Sequence, residues 1–204
     1  MKLLKGIPKS SEETEKLLIG LGWKKLKEPK SLFVYIVLSA PLMILLAILS
    51  FGILRYFHKD ILINLIMIFD NGSFIFTINI IYLAVVFLMV FFHELIHLIL
   101  IPNFILSKKT YLGFTWFGGF VYSSDEIKKG RYILITTAPF FVLSVLFPII
   151  LGFTGLLNKY LMFLIILNLL SSSVDILNMI LIITQVPNGS ILTQNGEKTY
   201  FKPA

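Results

Sequence analysis

The sequence predicts an all-α membrane protein of four transmembrane helices, with a membrane-associated β-hairpin between the second and third. Three observations carry this expectation. Of 204 residues, 57% are hydrophobic and 14% charged, and the mean hydropathy is +0.89; a soluble domain of this size does not need so much apolar surface. Four stretches reach the ~20 apolar residues that a bilayer span takes. Basic residues alternate between abundant and sparse from one inter-span segment to the next, as topology rules require.

The first 30 residues carry eight Lys and read as a cytoplasmic preface. Within it, Ser10-Ser11-Glu12-Glu13 resembles a helix start, and Leu17, Leu18, Leu21 and Trp23 suggest the apolar face of a helix lying on the membrane. The first span, Ser31–Leu54, starts too late and after too many charges for a cleavable signal peptide, so it reads as a retained helix. Between Asp60 and Asp70, the stretch Ile61–Phe69 is too short to span and reads as an external amphipathic turn, with His58 solvated nearby. The second span is Phe74–Ile101.

The long loop Pro102–Gly130 follows. Its centre, Thr110 to Tyr122, is rich in aromatics and glycine, which favours strands with a turn at Gly118-Gly119. The functional reading of this hairpin is an edge that pairs with an extended peptide; Asp125 and Glu126 read as surface charges. The third span, Tyr132–Phe153, contains Pro139 and Pro148, so kinks are expected. The fourth is Tyr160–Ile183. In the tail, Asn188-Gly189 and Asn195-Gly196 suggest turns, with a small hairpin as one outcome. The whole chain, 1–204, reads as one polytopic membrane domain.

After the Lys-rich preface, the first loop has Arg55 and Lys59, and the second has Lys108, Lys109, Lys128, Lys129 and Arg131. The third has Lys159 alone, and the tail has Lys198 and Lys202. This pattern predicts a multi-pass protein of the cell membrane with both termini cytoplasmic. Anionic membrane lipid explains the surplus of Lys, which argues against nucleic acid as a partner. Without cysteine, disulfides and thiolate metal sites are excluded.

The most informative pattern is His93-Glu94-Leu95-Ile96-His97. Histidines four residues apart share a helix face and can share one zinc ion, while the Glu between them can act as general base. Ionisable groups in a span are expensive and mark function by default. Glu94 is the only acid in the second span, and Asp175 the only acid in any other span. With the N-terminus inside, the second and fourth spans run in the same direction. His93 and Asp175 each lie eight residues before their span's end, about 12 Å at 1.5 Å per residue. His93, His97 and Asp175 are therefore expected at similar depth as metal ligands, leaving a fourth position for water and Glu94 as catalytic acid/base. Asn168, Ser171, Asp175 and Asn178 form a polar stripe on one face of the fourth span. There Asn168 reads either as a substrate-binding group or as an interhelical hydrogen-bonding residue.

These residues resemble a known family. Phe92-His-Glu-Leu-Ile-His97 on a span, a Tyr/Phe/Gly-rich loop after it, and Asn168 and Asp175 on a later span look like the small bacterial membrane family of putative zincin peptidases (domain of unknown function 3267). That family is similar in plan to the site-2 proteases, which are intramembrane zinc metalloproteases. The resemblance runs from the first span to the tail. It implies a core of the second, third and fourth helices, Zn2+ held through His93, His97 and Asp175, Glu94 as acid/base, and a membrane-associated hairpin after the second helix. Site-2 proteases carry an Asn, then a Pro, then an Asp-Gly pair. Here Asn168 is followed by Ser171 and Asp175-Ile176, with neither the Pro nor the Gly.

The expected function is thus a zinc-dependent intramembrane metalloprotease acting on a membrane protein or peptide near the cytoplasmic side. Two other classes use the same ligands. A membrane metal-binding or transport protein needs a polar path through the bilayer, for which the outer half of the second span offers Thr77 and Asn79. A catalytically inert zinc scaffold needs a closed four-ligand shell, and the spans offer no obvious fourth ligand.

Overall fold

In the computed structural model of the chain, which describes residues 2–4, 6, 8–57, 80–115 and 118–204, four helical stretches are long and apolar enough to cross a membrane. The expectations for His58, the Asp60–Asp70 segment, Thr77, Asn79 and the beginning of the second span fall outside these residues. In chain order the elements are β1 (Lys2–Leu4), α1 (Glu12–Gly20), β2 (Lys24–Lys25), α2 (Leu32–Phe57) and α3 (Ile80–Leu100). After them come β3 (Thr110–Thr115), β4 (Gly118–Ser123) and β5 (Ile127–Lys128). The third span is composite: α4 (Lys129–Pro139), a π-helical segment (Phe140–Leu146) and α5 (Phe147–Phe153). The chain closes with α6 (Lys159–Gln185), β6 (Ile191–Asn195) and β7 (Lys198–Lys202).

The all-α expectation needs correction, because two small sheets accompany the helices. One has the order β1-β3-β4, with β1 parallel to β3. The other has the order β2-β7-β6-β5 and is antiparallel throughout. The preface is therefore more than an interfacial helix: β2 pairs with β7, Lys24 opposite Phe201, so preface and tail meet at one end of the bundle. The hairpin expected between the second and third spans is β3-β4, but its turn was misplaced. Thr115 lies opposite Gly118 and Phe114 opposite Gly119, so both glycines belong to the second strand. The tail hairpin is β6-β7, with Gly196 at φ +60° where the chain reverses, as a two-residue hairpin turn favours.

Local sequence explains α1. The Ser11 hydroxyl caps Thr14 N–H at 3.3 Å, and Glu12, Glu13 and Glu15 fill the first turn, where the positive end of the helix dipole favours acids. Gly22 stops it at φ +83°. The bonds Gly22 N–H to Ile19 O and Trp23 N–H to Leu18 O, both 3.0 Å, make this end a Schellman motif. The expected apolar face splits here: Trp23 is buried, while Leu17 and Leu21 stay exposed.

In the spans, α6 is central, packed against α2 on one side and against α4 and the π segment on another. Ser173 and Ser39, both fully buried, join α6 to α2 at 3.3 Å; small residues permit such close approach in a membrane. Pro139 closes α4, and the π segment follows it directly. This is the expected irregularity in the third span, since proline interrupts the helical ladder.

The four-stranded sheet caps one end of the bundle. Leu26, Ile127, Leu192 and Phe201 from its strands or their flanks pack with Ile101, Tyr132, Ile135, Ile182 and Val186 from the helix ends. Polar bonds reinforce it. Glu28 accepts from Thr199 N–H and Thr199 Oγ1, both at 2.8 Å, and Glu15 bridges Lys25 and Lys198. Burial pushes the Glu28 carboxyl above its ordinary value, opposed by the bonds from Thr199 and the charge of Lys25. A carboxyl whose pKa is higher when folded binds its proton more tightly in that state. Its penalty is absent below the ordinary carboxylate range and grows as pH rises through the raised value. Measured as unfolding temperature in detergent, the gap between Glu28→Gln and wild type is expected to widen in favour of the variant as pH rises from about 4 to 7. Parallel curves would show that Glu28 is not strained.

Candidate metal centre

His93 and His97 lie one turn apart on α3, near its C-terminal end, and Asp175 comes from α6. His93 Nε2 is 3.2 Å from Asp175 Oδ2, and His97 Nε2 is 3.7 Å from the same oxygen. One ligand atom from each of the three residues lies within 4.8 Å of the others. Two ligands about 2.05 Å from a tetrahedral ion are about 3.3 Å apart, so the two measured separations bracket what one ion needs.

The outer nitrogens show that both rings are turned for this task. His93 Nδ1 is 2.8 Å from Asn168 Oδ1, and His97 Nδ1 is 2.7 Å from the Ile135 carbonyl oxygen. Both partners can only accept, so each Nδ1 carries a proton and each Nε2 faces Asp175. Metal-bound histidines are held in this manner by acceptors behind them. The donor set fits zinc: two imidazoles, one carboxylate and no fourth protein ligand among the described residues.

Asn168 is 1% exposed. While its oxygen faces His93, its Nδ2 donates to Ser144 Oγ at 2.8 Å. Ser144 belongs to the π segment and is itself buried. Of the two readings of Asn168, the geometry favours the interhelical one. Its amide is spent between α3 and the π segment, and nothing of it faces an open surface. Ser171 donates to the Asn168 carbonyl within the helix, and Asn178 Oδ1 is buried without a hydrogen-bond partner.

Glu94 is 8% exposed and lies beneath the β3-β4 hairpin. A Cβ added at Gly119 would collide with the Glu94 side chain, so the strand can run over this carboxyl only because residue 119 has no side chain. Opposite Gly119, Phe114 packs its ring on Phe87 and Phe91 of α3, with centroids 5.1 Å and 6.4 Å away. The base of the hairpin is tied by Asp125, whose Oδ2 accepts from Ser107 Oγ at 2.5 Å, Thr110 Oγ1 at 3.1 Å and Ser123 Oγ at 3.3 Å. Asp125 is thus an internal hub, which corrects its reading as a plain surface charge.

The ends of α3 and α6 are both held from the start of α4. Arg131 Nε donates to the Leu100 carbonyl at 2.7 Å, capping α3. Lys129 Nζ donates to the Val186 carbonyl at 2.6 Å, capping α6. Cations suit these negative helix ends. The supports that sequence reasoning missed are Ser144, Gly119 and the Ile135 carbonyl. The proline in the third span was the one signal that pointed near them.

A family model described as putative zincin peptidase matches residues 86–191, that is 106 of 204 residues, and its range takes in His93, Glu94, His97, Asn168 and Asp175. No curated protein matches and no solved structure matches. Removal of the acceptor behind a metal-bound histidine typically costs 10–100-fold in metal affinity. Asn168→Ala is therefore expected to weaken zinc binding by about that factor, read by competition with a chromophoric chelator. Unchanged affinity would mean that His93 does not depend on Asn168.

Proposed function

This chain belongs to the putative zincin peptidase family, and on that premise we propose that it is a zinc-dependent intramembrane metalloprotease. It cuts peptide bonds near the cytoplasmic side of the membrane. The observation that carries the reading is the convergence of His93 Nε2, His97 Nε2 and Asp175 Oδ2 beside a buried glutamate at the end of three spans. Zinc held by these residues would polarise the scissile carbonyl and acidify a water beside it. Glu94 accepts the proton this water gives up as its oxygen attacks the carbonyl carbon, and delivers it to the leaving amine as the C–N bond breaks. Asn168 and the Ile135 carbonyl hold the two imidazoles in the tautomer that binds metal.

A helical substrate hides its peptide bonds in its own hydrogen bonds, so it has to be extended before cleavage. The outer edge of β4 suits this task. Among the described residues β4 is a terminal strand of its sheet, and Ser123 N–H points away from β3, to Gln194 Oε1 at 3.0 Å. Backbone groups alternate in direction along a strand. Val121 and Gly119 therefore also turn their N–H and C=O groups outward, Gly119 beside Glu94, where an extended chain can add. The Lys-rich preface supports placing this end of the bundle in the cytoplasm. Exposed Leu17 and Ile19 on α1 and Leu21 at its C-cap support contact with the lipid surface.

The test is zinc content and proteolysis of a membrane-peptide substrate with purified wild type, Glu94→Gln and Asp175→Ala. Glu94→Gln is expected to keep zinc and lose about 10²–10⁴-fold in kcat, whereas Asp175→Ala loses zinc. Equal activity of Glu94→Gln and wild type would remove Glu94 from the chemistry. Zinc without proteolysis in wild type would favour an inert scaffold. Gly119→Ala forces the hairpin off Glu94; cleavage is expected to drop at least about tenfold while zinc content holds. Full activity in that variant would exclude the close passage of β4 from the reaction.

A further inference from the structure

We infer that Pro139 is a positioning residue for His97. Lacking an N–H, it leaves the Ile135 carbonyl without its helical partner, and the imidazole takes the vacant place. The inference rests on the metal reading above.

In an α-helix the carbonyl of residue i accepts from the N–H of residue i+4. For Ile135 that residue is 139, where α4 ends in proline, which has no N–H to give. A carbonyl stripped of its partner at membrane depth must find another donor. His97 Nδ1 is that donor, at 2.7 Å. The bond sets the tautomer and ring plane that turn Nε2 towards Asp175 Oδ2, 3.7 Å away.

Three neighbouring features agree. Pro139 is fully buried, so it is not a surface kink left over from topology. The Thr136 and Thr137 hydroxyls donate to the Tyr132 and Ile133 carbonyls, so the local helix supplies these acceptors with extra donors, while Ile135 receives the imidazole. One turn further along, Arg131 Nε donates to the Leu100 carbonyl at 2.7 Å. The pairs 97 with 135 and 100 with 131 step in opposite directions, which pins the antiparallel register of α3 on α4 at two points. The two ligands thus use different devices: His93 leans on a side chain, Asn168, and His97 on a backbone carbonyl that a proline has freed.

The experiment compares the full chain in detergent with three variants. It reads zinc affinity by chelator competition, the ligand-field spectrum with Co2+ in place of zinc, and the unfolding temperature of the metal-free protein. Pro139→Ala returns an N–H that competes with His97 for the Ile135 carbonyl. Zinc affinity is expected to fall about 10–100-fold and the cobalt bands to shift. The metal-free unfolding temperature holds or rises, because alanine is the better helix former. The second variant carries the α-hydroxy analogue of alanine at position 139, which has alanine's side chain but an ester in place of the N–H. It is expected to restore wild-type affinity and spectrum. Pro41→Ala, in α2, is expected to leave both unchanged. Wild-type affinity and spectrum in Pro139→Ala would overturn the inference. So would equal loss in the alanine and ester variants, which would assign the effect to proline's shape. Failure of wild type to bind zinc would overturn the metal reading itself, a result distinct from either.

Discussion

Hydrocarbon offers no water, so every polar atom placed at membrane depth must be answered by another part of the chain. The candidate centre is organised by that constraint. His93 is answered by Asn168, Asn168 by Ser144, and His97 by the Ile135 carbonyl. Each answer comes from a different element: α3 supplies the rings, α6 the amide, and α4 with its π segment the rest. The three helices are thereby joined through the groups that would hold a metal. A substitution at one member leaves its partner unanswered in a medium that penalises it.

Two kinds of force divide the remaining work. Between the spans there is little hydrophobic gain, because lipid is as apolar as leucine, and the contacts are small residues and hydrogen bonds such as Ser39 with Ser173. At the capped end the sheet carries the charged pairs of Glu15 with Lys25 and Lys198, as suits a surface in water, where burial of Leu26, Ile182, Leu192 and Phe201 brings the ordinary gain of taking apolar surface out of water. Lys129 and Arg131 stand at the boundary. By capping α6 and α3 from the same turn of α4, they tie the level of His93, His97 and Asp175 to the capping sheet.

The convergence of His93, His97 and Asp175 was legible in the sequence because helices are local. Four-residue spacing and a rise of 1.5 Å per residue suffice to bring His93, His97 and Asp175 to one level, and charge in a span is conspicuous. The capping sheet was not legible, because its pairing of Lys24 with Phe201 joins opposite ends of the chain and no local period records it. Gly118-Gly119 was read as a turn because paired glycines usually make one. Here the reason for Gly119 is the close passage over Glu94, a contact between elements. The Ile135 carbonyl could not be read at all, since a backbone acceptor has no residue type; its sign was a proline four places on. Asp125 looked solvated because its three hydroxyl donors are scattered along the loop.

The pairing of β2 with β7 has a consequence for biosynthesis. Ribosomes release chains from the N-terminus, and domains form in that order. β2 precedes all four of the long apolar stretches described above, yet its partner strand follows the last of them. α6, with Asp175, is likewise made only after α3 with both histidines. The nascent chain thus carries an unpaired β2 and an incomplete cluster of His93, His97 and Asp175 until α6 and β7 have both been made.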